Sequence, residues 1–396
     1  HERGLGIAPI SSFMHNRPMP TLQPPHRYAT DPSPRCMRSI LASSILALLL
    51  LMGACTSPDA PPVPQPHYAD LPPLPIPLSN NAVASLQANN ATRIYSFMGL
   101  GANKTQADIV RVAFEYDSTS GTWRRLPDVP VTEGRLASVA AAANGAVYLF
   151  GGYSVAADGH EISTPDVLRF DTGLRTYRQV APMPTPVDDS VALVLEDRWI
   201  YLISGWHQDR NLPLVQVYDS AENRWARATD FPGTPVFGHA GALLGRQLLV
   251  CDGVRLDILA GKRTFSASPE CWRGEIAQGD HQRIVWRRIA PHPGAPRYRM
   301  AAGTGTKRGT LLFLGGSENP YNYNGIGYDG RPSRASSRAQ AYDLASDRWR
   351  ELQPLPEASM DHRGLITIDR RHYLIGGMRD AQQVSAGVIS YRSDMD

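Results

Sequence analysis

The sequence predicts an all-β fold: a ring of six four-stranded sheets, closed by a strand supplied from the N-terminal side. Three observations carry this. A glycine that ends an apolar strand recurs at Gly99, Gly152, Gly205, Gly253, Gly316 and Gly377, at intervals of 48 to 63 residues. An aspartate stands six residues before an aromatic at Asp117/Trp123, Asp171/Tyr177, Asp219/Trp225 and Asp343/Trp349. After that aromatic an apolar residue and then a proline return at fixed offsets, as in Trp349, Leu352 and Pro356. Periods near 50 residues with four short strands per unit read as the blades of a β-propeller.

Residues 312–356 are the fullest unit. An apolar strand (Leu312, Phe313, Leu314) runs into Gly315–Gly316, a polar loop follows, Tyr342–Asp343 end the next strand, and Trp349 opens the last. The strand before the glycines repeats as Ile94–Phe97, Val147–Phe150 and Ile200–Ile203. Glycine is expected there because the backbone turns tightly beside its neighbour. Two copies are degenerate, Ser204–Gly205 and Asp252–Gly253, and the first copy, at Gly99, keeps one glycine of the pair. Five downstream aromatics serve six glycine sites, the fifth being Trp286, so the sixth unit stops one strand short near Tyr391. Residues 68–75 (YADLPPLP) match residues 349–356 (WRELQPLP) position for position. They are expected to supply the missing outer strand and remove the open edge. The glycine doublet, tyrosine and spaced tryptophan resemble the kelch repeat over residues 68–391, so the resemblance implies a six-bladed kelch-type β-propeller. Asp boxes of the sialidase kind would place the aspartate five residues before the aromatic, and this chain uses six.

The chain has 396 residues and a net charge of +3, with both signs interspersed. It shows no nucleic-acid footprint, and no apolar stretch is long enough to span a bilayer. Residues 1–36 are rich in proline and arginine and aperiodic, a non-native or disordered leader. Residues 37–54 read as a secretory signal, with Arg38 before a 12-residue apolar run at 40–51. Residues 55–67 read as a proline-rich tether and residues 68–396 as the propeller. With Cys55 behind Gly53 and Ala54, the signal resembles a bacterial lipobox. That resemblance implies lipidation at Cys55 and, with Thr56 next, the periplasmic face of the outer membrane. The anchor would then be the chain's only membrane contact. Cleavage after Ala54 without lipidation is the alternative.

Cys251 ends the second strand of the fourth unit and Cys271 opens the third. These strand ends are neighbours in an antiparallel pair, so a disulfide is expected in an oxidising compartment. Two buried thiols are the alternative.

A propeller's default site is the face where the loops after the second and fourth strands of each blade meet around the axis. The fifth blade's loop is longest and carries Tyr321, Asn322, Tyr323, Tyr328, Asp329 and Arg331. Tyrosines offer stacking area with a polar tip, and asparagine offers paired donors and acceptors. The loops between blades add Arg135, Asp188, Asp189, His239, Arg297, Arg299, Asp361, His362 and Arg363. These charges are expected to floor a pocket, with Arg297 or Arg363 holding an anionic group. The recurring Asp117, Asp171, Asp219 and Asp343 read as turn carboxylates. No metal-ligand spacing or cofactor motif is present, and the copper site of galactose oxidase, which shares kelch architecture, finds no counterpart.

Blade number, export signal and glycine doublets resemble the N-acetylneuraminate epimerase (mutarotase) group, which implies a sugar substrate without assigning any residue. The expected ligand is a glycan, a small anionic sugar or a protein, bound by a monomer with neither cofactor nor nucleic acid. A tethered binding module, a sugar mutarotase and an envelope scaffold all remain open at this point.

Overall fold

The computed structural model describes residues 70–393 apart from residue 89. The leader, signal, tether, Cys55 and the first two residues of the closing segment lie outside them. Six antiparallel sheets form a ring, a β-propeller. With strands lettered a to d, blade one is Ala82–Ala88, Ala91–Leu100, Ile109–Asp117 and Thr122–Arg125. Blade two is Val139–Ala143, Ala146–Phe150, Val167–Asp171 and Thr176–Val180. Blade three is Val191–Leu195, Trp199–Ile203, Val215–Asp219 and Arg224–Arg227. Blade four is Ala240–Leu244, Gln247–Cys251, Cys271–Ile276 and Ile284–Ile289. Blade five is Ala301–Thr304, Thr310–Leu314, Ala339–Asp343 and Arg348–Glu351. Blade six has three described strands, Ile366–Ile368, Arg371–Ile375 and Val388–Tyr391.

Every seam between neighbouring blades holds its own apolar cluster. Phe97 and Phe170 meet edge-on between blades one and two, and Phe150 meets Tyr218 between two and three. The seam between six and one contains Leu71, Leu74 and Leu78 packed with Ile366, Tyr373, Phe114 and Tyr116. Leu74 N–H donates to Ala386 O at 2.8 Å, as Leu355 N–H donates to Ser337 O at 2.7 Å one blade earlier. The strand-d indoles reach back to the preceding blade: Trp225 to Ala181 O, Trp349 to Ala290 O, and Trp123 to Pro72 O at 2.8 Å. Pro72 therefore occupies, for blade one, the place that the end of strand d holds elsewhere. The N-terminal segment closes the ring.

The glycine doublet has a steric cause. A Cβ on Gly316 would lie 2.9 Å from Tyr298 O, on the loop entering blade five, and one on Gly315 would lie 2.5 Å from Ser359 O, on the loop leaving it. The doublet is threaded between the two, with φ of +66° and +87°. Where Asp252 replaces the first glycine, its carboxylate accepts from Arg297 N–H at 2.7 Å and His292 Nε2 at 2.6 Å. The recurring aspartates cap the c–d turns: Asp171 Oδ1 accepts from Leu174 N–H at 2.9 Å and Asp343 Oδ1 from Ala345 N–H at 2.9 Å. Cys251 and Cys271 face each other across strands b and c of blade four and are joined as a disulfide.

Candidate functional site

Each segment entering a blade passes the axis through one residue in the left-handed region. These are Asn80, Ala137, Asp189, Gly238, Arg299 and Asp361, with φ between 50° and 69°. Backbone bonds link successive members: Asp189 N–H to Ala137 O at 3.1 Å, Gly238 N–H to Asp189 O at 2.8 Å and Arg299 N–H to Gly238 O at 2.8 Å. Side chains tie the collar across the axis. Arg299 donates to Asp189 Oδ2 at 2.6 Å and to Asp361 Oδ1 at 2.9 Å, and Arg363 pairs with Asp189 Oδ1. Tyr298 OH donates to Asp189 Oδ2 at 3.0 Å, and Asn80 Oδ1 accepts from Arg363 Nη2 at 2.8 Å. Burial would raise the Asp189 carboxyl, yet Arg299 and Arg363 hold it below the usual carboxylate range. Burial likewise works against the Arg299 charge, and Asp189 keeps the guanidinium more basic than usual.

The residue before each collar member forms a bridge to the residue after the strand-b glycine: Ser79 to Leu100, Leu136 to Tyr153, Asp188 to Trp206, Phe237 to Val254, Tyr298 to Ser317 and Met360 to Met378. Leu136, Phe237, Tyr298, Tyr321, Met360 and Met378 build an apolar cap over the collar. Asp188 occupies one of these cap positions as a carboxyl. It is buried, and Ser163 Oγ donates to its Oδ2 at 2.5 Å. Burial, helped by the Asp189 and Glu161 charges and opposed by the Ser163 hydrogen bond, raises its pKa well above the ordinary value.

Asp188 borders a cavity of about 430 Å³ on the loop face. Its walls are the b–c hairpins of blades two (Tyr153–Val155 and Glu161–Ser163), three (Trp206–His207 and Arg210–Asn211) and four (Val254–Leu259 and Lys262–Ala267), with part of the fifth-blade loop. Phe265 stacks on Tyr328 with ring centres 4.5 Å apart, and Trp206 meets Phe265 at 5.9 Å. Glu161 is an exposed residue of the cavity wall; the partial burial of its carboxyl raises its pKa, Arg299 lowers it, and Asp189 raises it again. The cavity thus joins two carboxyls of raised pKa, a fixed guanidinium and aromatic faces.

Among the expected site residues, Asn322, Tyr323, Tyr328 and Arg299 line this cavity. Tyr321 does not: it is fully buried in the cap, its ring 4.9 Å from Tyr298 and 5.5 Å beneath the Arg299 guanidinium. Arg297 is a correction to the expected anion clamp. It is fully buried in blade five, donating to Gly315 O at 2.6 Å, Arg338 O at 2.9 Å and Gln340 Oε1, and burial lowers its pKa to about 10. Asp361 and Arg363 belong to the collar, where their charges are spent on Arg299, Asp189 and Asn80. His239 and His362 are buried beside it. His239 Nε2–H donates to Ile203 O at 2.8 Å, which fixes the tautomer, and burial lowers its pKa to about 4. Burial, with the Arg379 and Arg363 charges, takes His362 to about 3. Asp329 and Arg331 line a separate surface depression with Asn319 and Arg334. Arg135 pairs with Asp166.

The residues that the sequence did not single out are Glu161, Trp206, Arg263 and Phe265. The alternating strands on either side of Ala260–Gly261 signal a hairpin, but only ring closure brings blades two to five around one cavity. On the far side of the collar the axial channel forms a second cavity of about 270 Å³, walled by small strand-a residues such as Ala140, Ala192, Gly241 and Ala302.

No family model matches the chain. Human Kelch-like protein 15 is 22% identical over 269 residues, which are 68% of this chain and 42% of that protein, so the match spans less than half of that relative's length. The N-acetylneuraminate epimerase of Salmonella arizonae is 23% identical over 391 residues, covering 87% of this chain and 95% of that protein. A solved structure titled "Structure of YjhT" superposes with a TM-score of 0.65 at 15% identity, covering 80% of this chain and 95% of that one. The chain is a kelch-repeat β-propeller that resembles the N-acetylneuraminate epimerase group.

Proposed function

We propose that the loop-face cavity binds a small, ring-bearing sugar and interconverts its anomers. The carrying observation is Asp188: a buried carboxyl of raised pKa, bordering the cavity, in a cap position that Leu136, Phe237, Tyr298 and Met360 fill elsewhere. Asp188 donates its proton to the ring oxygen while Glu161 accepts the proton of the anomeric hydroxyl. The bond between ring oxygen and anomeric carbon then breaks, leaving an open-chain carbonyl. Reclosure on the other face returns both protons, so nothing is consumed. Raised carboxyl pKa values suit this because an acid works best with a pKa near the working pH. Phe265, Tyr328 and Tyr323 give the ring stacking surfaces. The sugar class follows the epimerase relative.

Anomer exchange of N-acetylneuraminate and of common hexoses, followed by NMR line shape, tests this. Exchange above the buffer rate with wild type, lost in Asp188→Asn, is the expected result. Binding without exchange would favour a binding module instead. The aromatic wall alone supports that reading, since stacking needs no proton transfer.

We also propose that the domain is tethered in the cell envelope by a lipid on Cys55. A wild-type chain that is already soluble on fractionation, as Cys55→Ser should be, would refute the tether.

A further inference from the structure

We infer that the ligand of the loop-face cavity is an amphiphile: its polar ring sits at Asp188 and Glu161, and an apolar chain leaves along the blade-four hairpin. This rests on the cavity being the site and adds the class of substituent.

The hairpin Val254–Leu259/Lys262–Ala267 turns tightly at Ala260 and Gly261, with φ of 50° and 75°. Its register pairs Leu256 with Phe265 and Ile258 with Arg263. Directly opposed residues on an antiparallel pair share a face, and faces alternate along each strand. Arg263 and Phe265 line the cavity, so Leu256 and Ile258 stand on that side too. The cavity-side row is therefore Val254, Leu256, Ile258, Phe265 and Ala267, broken only by Arg263. The other face is polar at its base, where Arg255, Asp257 and Ser266 hydrogen-bond one another at 2.7 to 3.1 Å.

Ile258 is 69% exposed at the top of the apolar row. The row descends through half-buried Leu256 to Phe265, which stacks on Tyr328. An aliphatic row on the cavity's side of the hairpin, joined to the cavity through Phe265 and exposed at Ile258 beside Arg263, fits a ligand carrying both characters. A free hydrophilic sugar would leave the strip in water. An alkyl or acyl substituent would cover it, gaining about fourfold in affinity per buried methylene. Leu259, 63% exposed at the same tip, belongs to the opposite face with Lys262 and supplies the control.

The test titrates the full chain with 1-N-phenylnaphthylamine, an uncharged apolar fluorophore, and then displaces it with the methyl, butyl, hexyl and octyl 6-O-ethers of glucose, which keep the anomeric hydroxyl free. Fluorescence should rise saturably, and displacement should strengthen stepwise from butyl to octyl. Ile258→Ser should weaken the fluorophore about tenfold and flatten the chain-length trend, while Leu259→Ser leaves both unchanged. No saturable fluorescence, no dependence on chain length, or equal losses in the two variants would overturn the amphiphile. Circular dichroism of both variants reports the fold. Failure of the cavity reading looks different: the fluorophore and the octyl trend respond to Ile258→Ser but not to cavity substitutions such as Phe265→Ala.

Discussion

Replacing Asp188 by leucine should stabilise the protein while abolishing its activity. The position belongs to the apolar cap, and leucine stands at the equivalent place in Leu136. Burying a leucine side chain there contributes about 2 kcal/mol. Ser163 Oγ loses its acceptor, which costs about 1 kcal/mol. The net expectation below about pH 4, where the carboxyl is neutral in the folded and the unfolded chain alike, is a gain of about 1 kcal/mol. The effect depends on pH with a definite sign. A carboxyl whose folded pKa is raised contributes stability below its unfolded value near 4, and that contribution is lost as pH rises through the folded value. The leucine variant has no such group, so its advantage over wild type should widen as pH rises above about 4. Urea denaturation at several pH values measures this, and anomer exchange at pH 7 measures the loss of activity. A variant less stable than wild type by 1 kcal/mol or more, or an advantage that shrinks as pH rises, would refute the account of Asp188 as an acid of raised pKa held for function.

Acid should destabilise the fold through its buried histidines. Depression from 6.5 to about 4 gives His239 about 3 kcal/mol of stability above pH 6.5, lost as pH falls towards 4, with His362 adding a further loss towards 3. Urea midpoints of His239→Leu should fall less steeply than wild type over pH 6.5 to 4, and parallel slopes would contradict this. Gly376→Ala should cost about 2 kcal/mol or more, since its Cβ would sit 2.2 Å from Leu78 O at φ +68°. Gly145→Ala, at φ +69° with nothing within 4 Å, should cost only about 1 kcal/mol, and thermal melts of the pair check the difference. Removing the disulfide with Cys251→Ser and Cys271→Ser opens a loop spanning 20 residues and should cost about 3 kcal/mol in chemical denaturation.

The propeller was legible in the sequence because each blade is made by short-range rules. Strand alternation, the aspartate that caps the c–d turn in four blades and the glycine that ends strand b in all six act within about 50 residues and recur along the chain. Closure was legible for the same reason, since residues 68–75 repeat a pattern already seen at 349–356. Of the fifth-blade loop, Asn322, Tyr323 and Tyr328 line the loop-face cavity, while Tyr321 is buried in the cap and Asp329 and Arg331 line a separate depression. What the sequence could not decide was which charged residues meet solvent. Arg297 and Arg299 lie two positions apart and look alike, yet one is locked among the carbonyls of blade five and the other crosses the collar into the cavity wall. The partners that separate them, Gly315 and Gln340 for one, Asp189 and Asp361 for the other, stand 18 to 110 residues away. The same holds for Asp188, whose raised pKa comes from burial created only when the blades close around an axis. Local pattern determined the blades by itself. Desolvation and charge pairing at the axis depend on every blade at once, so the tertiary structure alone decided the site.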